Sequence, residues 1–296
     1  MVSDNSQNGG AGPRSHELAG ALDAGEVTAN FLPKVDLRNG RVIGVEALAR
    51  WNHPRHGILP AARFLDLVKD AGQRRRLTEA VVEHSTRAAG DWWQSGLRLE
   101  LSLNLFPASL AEGDRDLGAL LSDSLAAARL PAEALGVEVT EDALSRDPEE
   151  AGRSLERLGA LGIMASIDDF GMGHFSLRQL MSLPVRELKI DRSLIAGLQE
   201  DENRAIVRAT IHLAHQLGLQ VVAEGVESDA AWRRLRSMGC ELAQGFLIAE
   251  PLTAREVPAW LAAWGHRARE LTATKRGNAA KRKTGLRPRV AATGRR

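Results

Sequence analysis

The chain has 296 residues, 44% apolar and 26% charged, which is ordinary for a globular protein able to bury a core. Its formal charge of +1 conceals an asymmetry: nine Lys or Arg and no Asp or Glu fall between Lys275 and Arg296, so the rest of the chain is about eight charges negative, which argues against broad nucleic-acid binding by the folded body. One cysteine, Cys240, excludes an intrachain disulfide, and neither a signal-like apolar stretch nor a run of about 18 apolar residues is present, so the expectation is a cytoplasmic protein without a membrane span.

Residues 1–15 are rich in Gly, Ser and Asn and are expected to be disordered. Strands are predicted at 29–36 and 41–48, joined by Arg38-Asn39-Gly40, a hairpin signal that makes them antiparallel. Helices follow at 61–70 and 75–95, where Trp92 and Trp93 are expected to pack against the sheet. Next come a strand at 98–105, a helix at 114–128, a strand at 135–140 and a helix at 149–161. Strands at 163–168 and 185–190 precede a helix at 201–217, whose apolar set Ile206, Ala209, Thr210, Leu213 and Leu217 keeps helical spacing. A strand at 219–224, a helix at 229–238, a strand at 241–247 and a helix at 253–263 complete the series, and Gly162, Gly218 and Gly239 stand just past helix ends. Cys240 reads as a small buried apolar residue. The stretch 269–296 is expected to be a disordered basic tail, solvated or in contact with anionic surfaces.

Alternating strands and helices mean an α/β fold with a mostly parallel sheet. Eight strands suggest a TIM-type (β/α)8 barrel with an antiparallel first strand, spanning 16–268. An open doubly wound sheet is the second choice, and no GxGxxG or GxxxxGKT loop supports it.

The strand ends carry the chemistry. Glu46 lies in the second strand, Asn104 ends LSLNLF, and Glu138 and Glu141 end GVEVTE. Asp168 and Asp169 end MASIDDFG, Lys189 and Asp191 end VRELKID, Glu224 ends LQVVAEG with Glu227 just beyond, and Gln244 lies in ELAQGF. In a barrel these positions converge at one rim. A lone Glu at a strand end is most often a solvated cap. A carboxylate inside an apolar strand, such as Glu46, is costly without a charged partner, and a whole set of such groups at separate strand ends is not expected by accident. An oxygen-rich set without thiols suits Mg²⁺ or Mn²⁺ better than zinc, and adjacent Asp168 and Asp169 could bridge two ions. His53, His56, His84, His212 and His215 have no spacing that brings a pair to this rim.

These motifs resemble the EAL-domain phosphodiesterases of bacteria, which hydrolyse cyclic di-GMP to linear pGpG. The resemblance runs from about Leu18 to Trp264 through VEALARW, which holds Glu46-Ala47-Leu48, then LSLNL, GVEVTE, IDDFGMG, LPVRELKIDRSLI, VVAEGVES and GCELAQGFLIAEPL. It implies a cyclic-guanylate-specific phosphodiesterase with two Mg²⁺ or Mn²⁺ ions per site. Glu46, Asn104, Glu138 and Asp168 would hold one ion, and Asp168 and Asp169 would help hold the second. Lys189 would position or activate the attacking water, and Glu224 would act as general base or ligand. Gln244 would hold water or the substrate side of the site, Glu141 would anchor the loop after the Asp pair, and Arg50 would contact a substrate phosphate. The resemblance also implies a homodimer. Two departures stand out: Phe31-Leu32-Pro33 replaces the family's Tyr-Gln-Pro, and Met172, His174 and Phe175 replace Thr, Tyr and the first Ser of the loop. They leave open a catalytically weak cyclic di-GMP receptor acting through a protein partner, or a module kept for protein interaction. The Gly-Gly-Asp-Glu-Phe cyclase signature is absent from the chain.

Overall fold

Asn39-Gly40 closes the first hairpin. Gly40 takes φ 72°, and an added Cβ would stand 2.6 Å from that of Ala268, so only glycine fits there. The computed structural model describes residues 12–109, 115–171 and 177–273. In it β1 (Val27–Asp36) runs antiparallel to β2 (Val42–His53), with Leu32 opposite Glu46. β3 (Gly57–Pro60) extends the hairpin as a short antiparallel partner of β2.

Beyond the hairpin come β4 (Glu100–Asn104), β5 (Leu135–Thr140), β6 (Met164–Phe170), β7 (Val185–Ile190), β8 (Gln220–Ala223) and β9 (Leu242–Ala243), each parallel to the one before it; β4 itself pairs parallel with β2. β1 pairs antiparallel with both β2 and β9 and so closes a barrel of eight strands, with β3 outside the ring. The TIM-type barrel with one antiparallel strand is the expected fold. Between and around the strands run α1 (Ser15–Asp23), α2 (Ala71–Gln94), α3 (Arg115–Ala128), α4 (Glu141–Arg146), α5 (Pro148–Ala160), α6 (Leu177–Leu180), α7 (Arg192–Ala196), α8 (Asp201–Gln216), α9 (Asp229–Met238) and α10 (Glu256–Thr272).

Along the strands successive side chains take opposite faces, with irregularities in β1 and at the end of β6. Leu101, Leu103, Val137, Val139, Ile167, Leu188 and Ile190 face outward and form the main core with the helices. Between them Ser102, Asn104, Glu138, Ser166, Asp168, Glu187 and Lys189 take the opposite face and put polar groups inside the barrel, beside Gly136 and the apolar Val222 and Leu242. A second, smaller core of Leu18, Ala21, Val27, Trp51, Leu59, Phe64 and Leu77 packs α1 and the β2–β3 extension onto α2.

Several expectations are corrected. No α-helix spans 61–70: β3 and two 3-10 turns, Ala61–Arg63 and Leu65–Leu67, occupy 57–67, because Leu59 and Phe64 are drawn onto Trp51 in the second core, and α2 starts after its cap Asp70. The segment 141–146 forms α4, capped by Thr140, and Asp147 then caps α5. The strand expected over 241–247 is only two residues long, since Gly245 takes φ 147° and the chain turns. α8 ends one residue before its expected limit, and its buried face is Val207, Thr210, Ile211 and Ala214, which shares only Thr210 with the expected set; Ile206 is exposed. α10 continues to Thr272, further than the pattern indicated. Most of the two ends expected to be disordered lies at 1–11 and 274–296, outside the described residues.

Gly245 also fastens the mouth of the barrel: an added Cβ would lie 2.3 Å from the Val226 nitrogen, in the loop that follows Glu224. Gly245→Ala is expected to lower the unfolding free energy by about 3 kcal/mol through strain and this clash. Urea denaturation checks it, and an unchanged midpoint would contradict so close a packing of the two loops.

Candidate metal centre at the barrel mouth

Lys189 lies inside the barrel on β7, fully buried. Its ammonium reaches four carboxylates on four other elements: Glu138 at 2.5 Å, Glu224 at 2.7 Å, Asp168 at 3.1 Å and Glu46 at 3.3 Å. Glu46 is held by two further donors, Asn104 Nδ2 at 2.6 Å to one oxygen and Gln244 Nε2 at 2.6 Å to the other. Gln244 Nε2 also donates to Glu224 at 2.9 Å.

Two adjacent residues of a regular strand point to opposite faces. Asp169 escapes this by taking φ 55° at the end of β6, a left-handed conformation costly for a non-glycine residue. Its carboxylate thereby joins those of Asp168 and Glu224, with ligand atoms within 4.8 Å of one another.

The electrostatics follow from burial and crowding. Burial would push the Glu46 carboxyl up, but Lys189, Asn104 and Gln244 together hold it below its ordinary range. Burial, then the charges of Glu46 and Asp168, push Glu138 well above the carboxylate range. Glu224 is pushed up to about 8, chiefly by burial against the opposing pull of Lys189. Burial and neighbouring Asp168 raise Asp169. Burial opposes the charge on Lys189, yet the surrounding carboxylates raise its pKa well above the usual value. One ammonium cannot neutralise the carboxylates of Glu46, Glu138, Asp168, Asp169 and Glu224, so without further cations some of them retain protons.

The donor set fits a hard divalent cation. It consists of carboxylate and amide oxygens, with no thiol or imidazole at the mouth among the described residues. Gln244 Oε1 is buried without a hydrogen-bond partner. Its amide nitrogen is committed to two carboxylates, so the oxygen is left for a cation or a water.

The structure thus brings Glu46, Asn104, Glu138, Asp168, Asp169, Lys189, Glu224 and Gln244 together. Glu141 stands apart at the start of α4, buried, and accepts the Gly171 N–H at 3.1 Å, directly before the loop at 172–176, which lies outside the described residues. Arg50 is four residues beyond Glu46 on β2, and its guanidinium donates to the Ala49 carbonyl at 2.9 Å; burial lowers its pKa while Glu46 pulls the other way. Asp191 caps α7 through Ser193. Of the histidines set aside, His53 is buried and accepts the Arg55 N–H at 3.0 Å, and exposed His215 pairs with Glu241 at 2.8 Å. Cys240 is buried, which pushes its thiol up and leaves it inert. Sequence reasoning missed a second interior pair, Lys34 with Glu187. The signal was available: both are charged residues within apolar strands, the same anomaly that singled out Glu46.

The raised carboxyls of Glu138 and Glu224 take up protons on folding that the unfolded chain does not hold. Their effect on stability is least harmful below the unfolded value of 4.5 and grows as pH rises towards about 8. The chelator-treated protein is therefore expected to melt at progressively lower temperature from pH 5.5 to 8.5, and Mn²⁺ to reverse most of that fall. A pH-independent melting temperature without metal would contradict the crowding described.

Fold and site together define an α/β barrel with a carboxylate-rich centre at the carboxyl ends of its strands. Residues 15–251 match the EAL domain family, and the chain belongs to it. The bifunctional diguanylate cyclase/cyclic di-GMP phosphodiesterase MucR of Pseudomonas aeruginosa is 38% identical over 252 residues, 83% of this chain and 36% of that protein. The cyclic di-GMP phosphodiesterase RocR of the same organism is 34% identical over 241 residues, 81% of this chain and 61% of that protein. The chain thus spans from about a third to about three fifths of the length of these relatives. Among solved structures, the MucR phosphodiesterase in complex with c-di-GMP superposes with a TM-score of 0.78 at 38% identity, covering 82% of this chain and 98% of that one. The FimX EAL domain from Pseudomonas aeruginosa bound to c-di-GMP gives 0.74 at 26% identity, covering 81% and 97%.

Proposed function

We propose that this chain hydrolyses cyclic di-GMP to linear pGpG at the barrel mouth, as a cyclic-guanylate-specific phosphodiesterase using Mg²⁺ or Mn²⁺. The observation that carries the reading is the convergence of Glu46, Glu138, Asp168 and Glu224 on buried Lys189. Relatives named as cyclic di-GMP phosphodiesterases support it.

Glu46, Asn104, Glu138 and Asp168 would hold one cation, and Asp168, Asp169 and Glu224 a second. Bound there, the cations supply Lewis acidity and offset the charge of a phosphodiester. Glu224 is placed to accept a proton from the attacking water. Lys189 orients that water and opposes the negative charge that develops on the phosphoryl oxygens. The water oxygen joins phosphorus as the P–O3′ bond opens, and the departing O3′ takes a proton from solvent, leaving a free 3′ hydroxyl and a 5′ phosphate on pGpG. Gln244 keeps Glu46 and Glu224 in place through its two N–H bonds. Arg50 would bind the second phosphate, and Glu141 tethers the backbone before the loop at 172–176.

A weak receptor that binds cyclic di-GMP and acts on a protein partner is the second reading. It is favoured by Leu32, an apolar, half-buried side chain directly across from Glu46. No described helix is long and apolar enough to cross a membrane. The resemblance to the family, together with the basic composition of the tail, supports reading the chain as a cytoplasmic homodimer in which 16–268 forms the phosphodiesterase domain and the basic stretch 269–296 contacts anionic surfaces.

Purified protein with Mn²⁺ and cyclic di-GMP is expected to release pGpG, and Glu46→Ala to lower kcat by at least about a hundredfold. Chromatography of the nucleotides decides it. Tight binding with intact substrate would establish the receptor and exclude the enzyme.

A further inference from the structure

Two residues below the acidic ring the barrel interior changes character. The inward positions there are Gly44, Ser102, Gly136, Ser166 and Glu187, the apolar Val222 and Leu242, and also Lys34, which on antiparallel β1 follows Leu32 by two residues. Glycine and serine leave room for two long side chains to meet across the barrel. Lys34 Nζ donates to both oxygens of Glu187, at 3.0 and 2.9 Å, and both residues are buried. The pair joins β1 to β7, strands separated in the ring by β9 and β8.

Stability alone does not account for this pair. Apolar side chains of similar volume would fill the layer as well or better, because desolvating two charges consumes most of what their attraction returns. Its placement offers another reason. Burial works against the Lys34 charge, Glu187 sustains it, and the next group to do so is Glu138, a member of the ring above; Glu100 at the barrel base follows. Lys34 is thus a second interior ammonium within electrostatic reach of the ring. An open pocket of about 40 Å³ at the base of the barrel, bordered by Lys34, Glu100, Glu133, Arg186 and Glu187, lies on the side of the pair away from the ring. Freed from Glu187, it could neutralise Glu138 and repel incoming cations.

We infer that Glu187 is a positioning residue that holds the Lys34 ammonium beneath the acidic ring and so reserves the ring's negative charge for divalent cations. The inference rests on the reading of the ring as a metal centre. Mn²⁺ binding to the full chain, measured by titration calorimetry, tests it apart from activity. Glu187→Gln is expected to weaken Mn²⁺ binding roughly tenfold or more, in the range found for residues that support metal ligands. Lys34→Met should bind Mn²⁺ no more weakly than the parent, and Lys34→Met/Glu187→Met should return to parent affinity. Should Glu187→Gln not fold, Glu187→Asp, which draws the carboxylate back by one methylene, is expected to weaken binding in smaller degree. Parent-like affinity in Glu187→Gln (or in Glu187→Asp where that stands in) would overturn the inference, since Lys34 would then have settled on Glu100. So would equal weakening in Lys34→Met, which a purely structural pair produces. A parent that binds no Mn²⁺ overturns it together with the metal reading. A parent that binds Mn²⁺ and shows these variant effects but leaves cyclic di-GMP intact supports the inference and fails the proposed activity alone.

Discussion

A single buried ammonium facing four carboxylates governs this barrel's mouth. Lys189 is sealed from solvent, and the strands and loops around it each deliver one acidic group to it. Such a cluster is under-neutralised by its geometry: attraction to one lysine holds the carboxylates together, while burial, and then their mutual repulsion, raises the proton affinity of Glu138 and Glu224. Both tendencies point the same way. The centre would gain stability from bound cations, and a donor set of oxygens would suit hard ones.

The remainder of the fold serves that crowding. Alternation sends leucine, valine and isoleucine outward to the helices and most polar residues inward, with Leu32, Val222 and Leu242 as apolar exceptions, so the barrel is cored on its outside and carries its charge on the inside. The antiparallel β1 closes the ring and places Lys34 one layer below the site. The left-handed turn at Asp169 and the tight approach of Gly245 to Val226 set the mouth loops in register. Charge in two layers, one paired and one deficient, distinguishes this interior from the apolar layers that usually fill such a barrel.

Much of this was legible beforehand, for physical reasons. Period-two strands and 3.6-period helices leave strong marks, so β5, β7 and α9 have the limits the pattern indicated, and Asn39-Gly40 announced its hairpin. Acidic residues ending apolar strands pointed to one rim because a barrel leaves them nowhere else to go. The rest depended on tertiary contact. The segment 61–67 became turns because Leu59 and Phe64 pack with Trp51 in the second core, which no local pattern encodes. α8 carries two overlapping apolar stripes, and only its neighbours select Val207 over Ile206. Lys34 and Glu187 are 153 positions apart, and their union is visible only once the ring is closed.

Diffraction from crystals soaked in Mn²⁺, collected at the manganese absorption edge, is the most direct trial of the central claim. Anomalous density is expected among Glu46, Asn104, Glu138 and Asp168, with a second peak beside Asp169, and the carboxylates drawn from Lys189 towards them. Anomalous density only at the protein surface, with all four carboxylates still gathered on Lys189, would contradict the account.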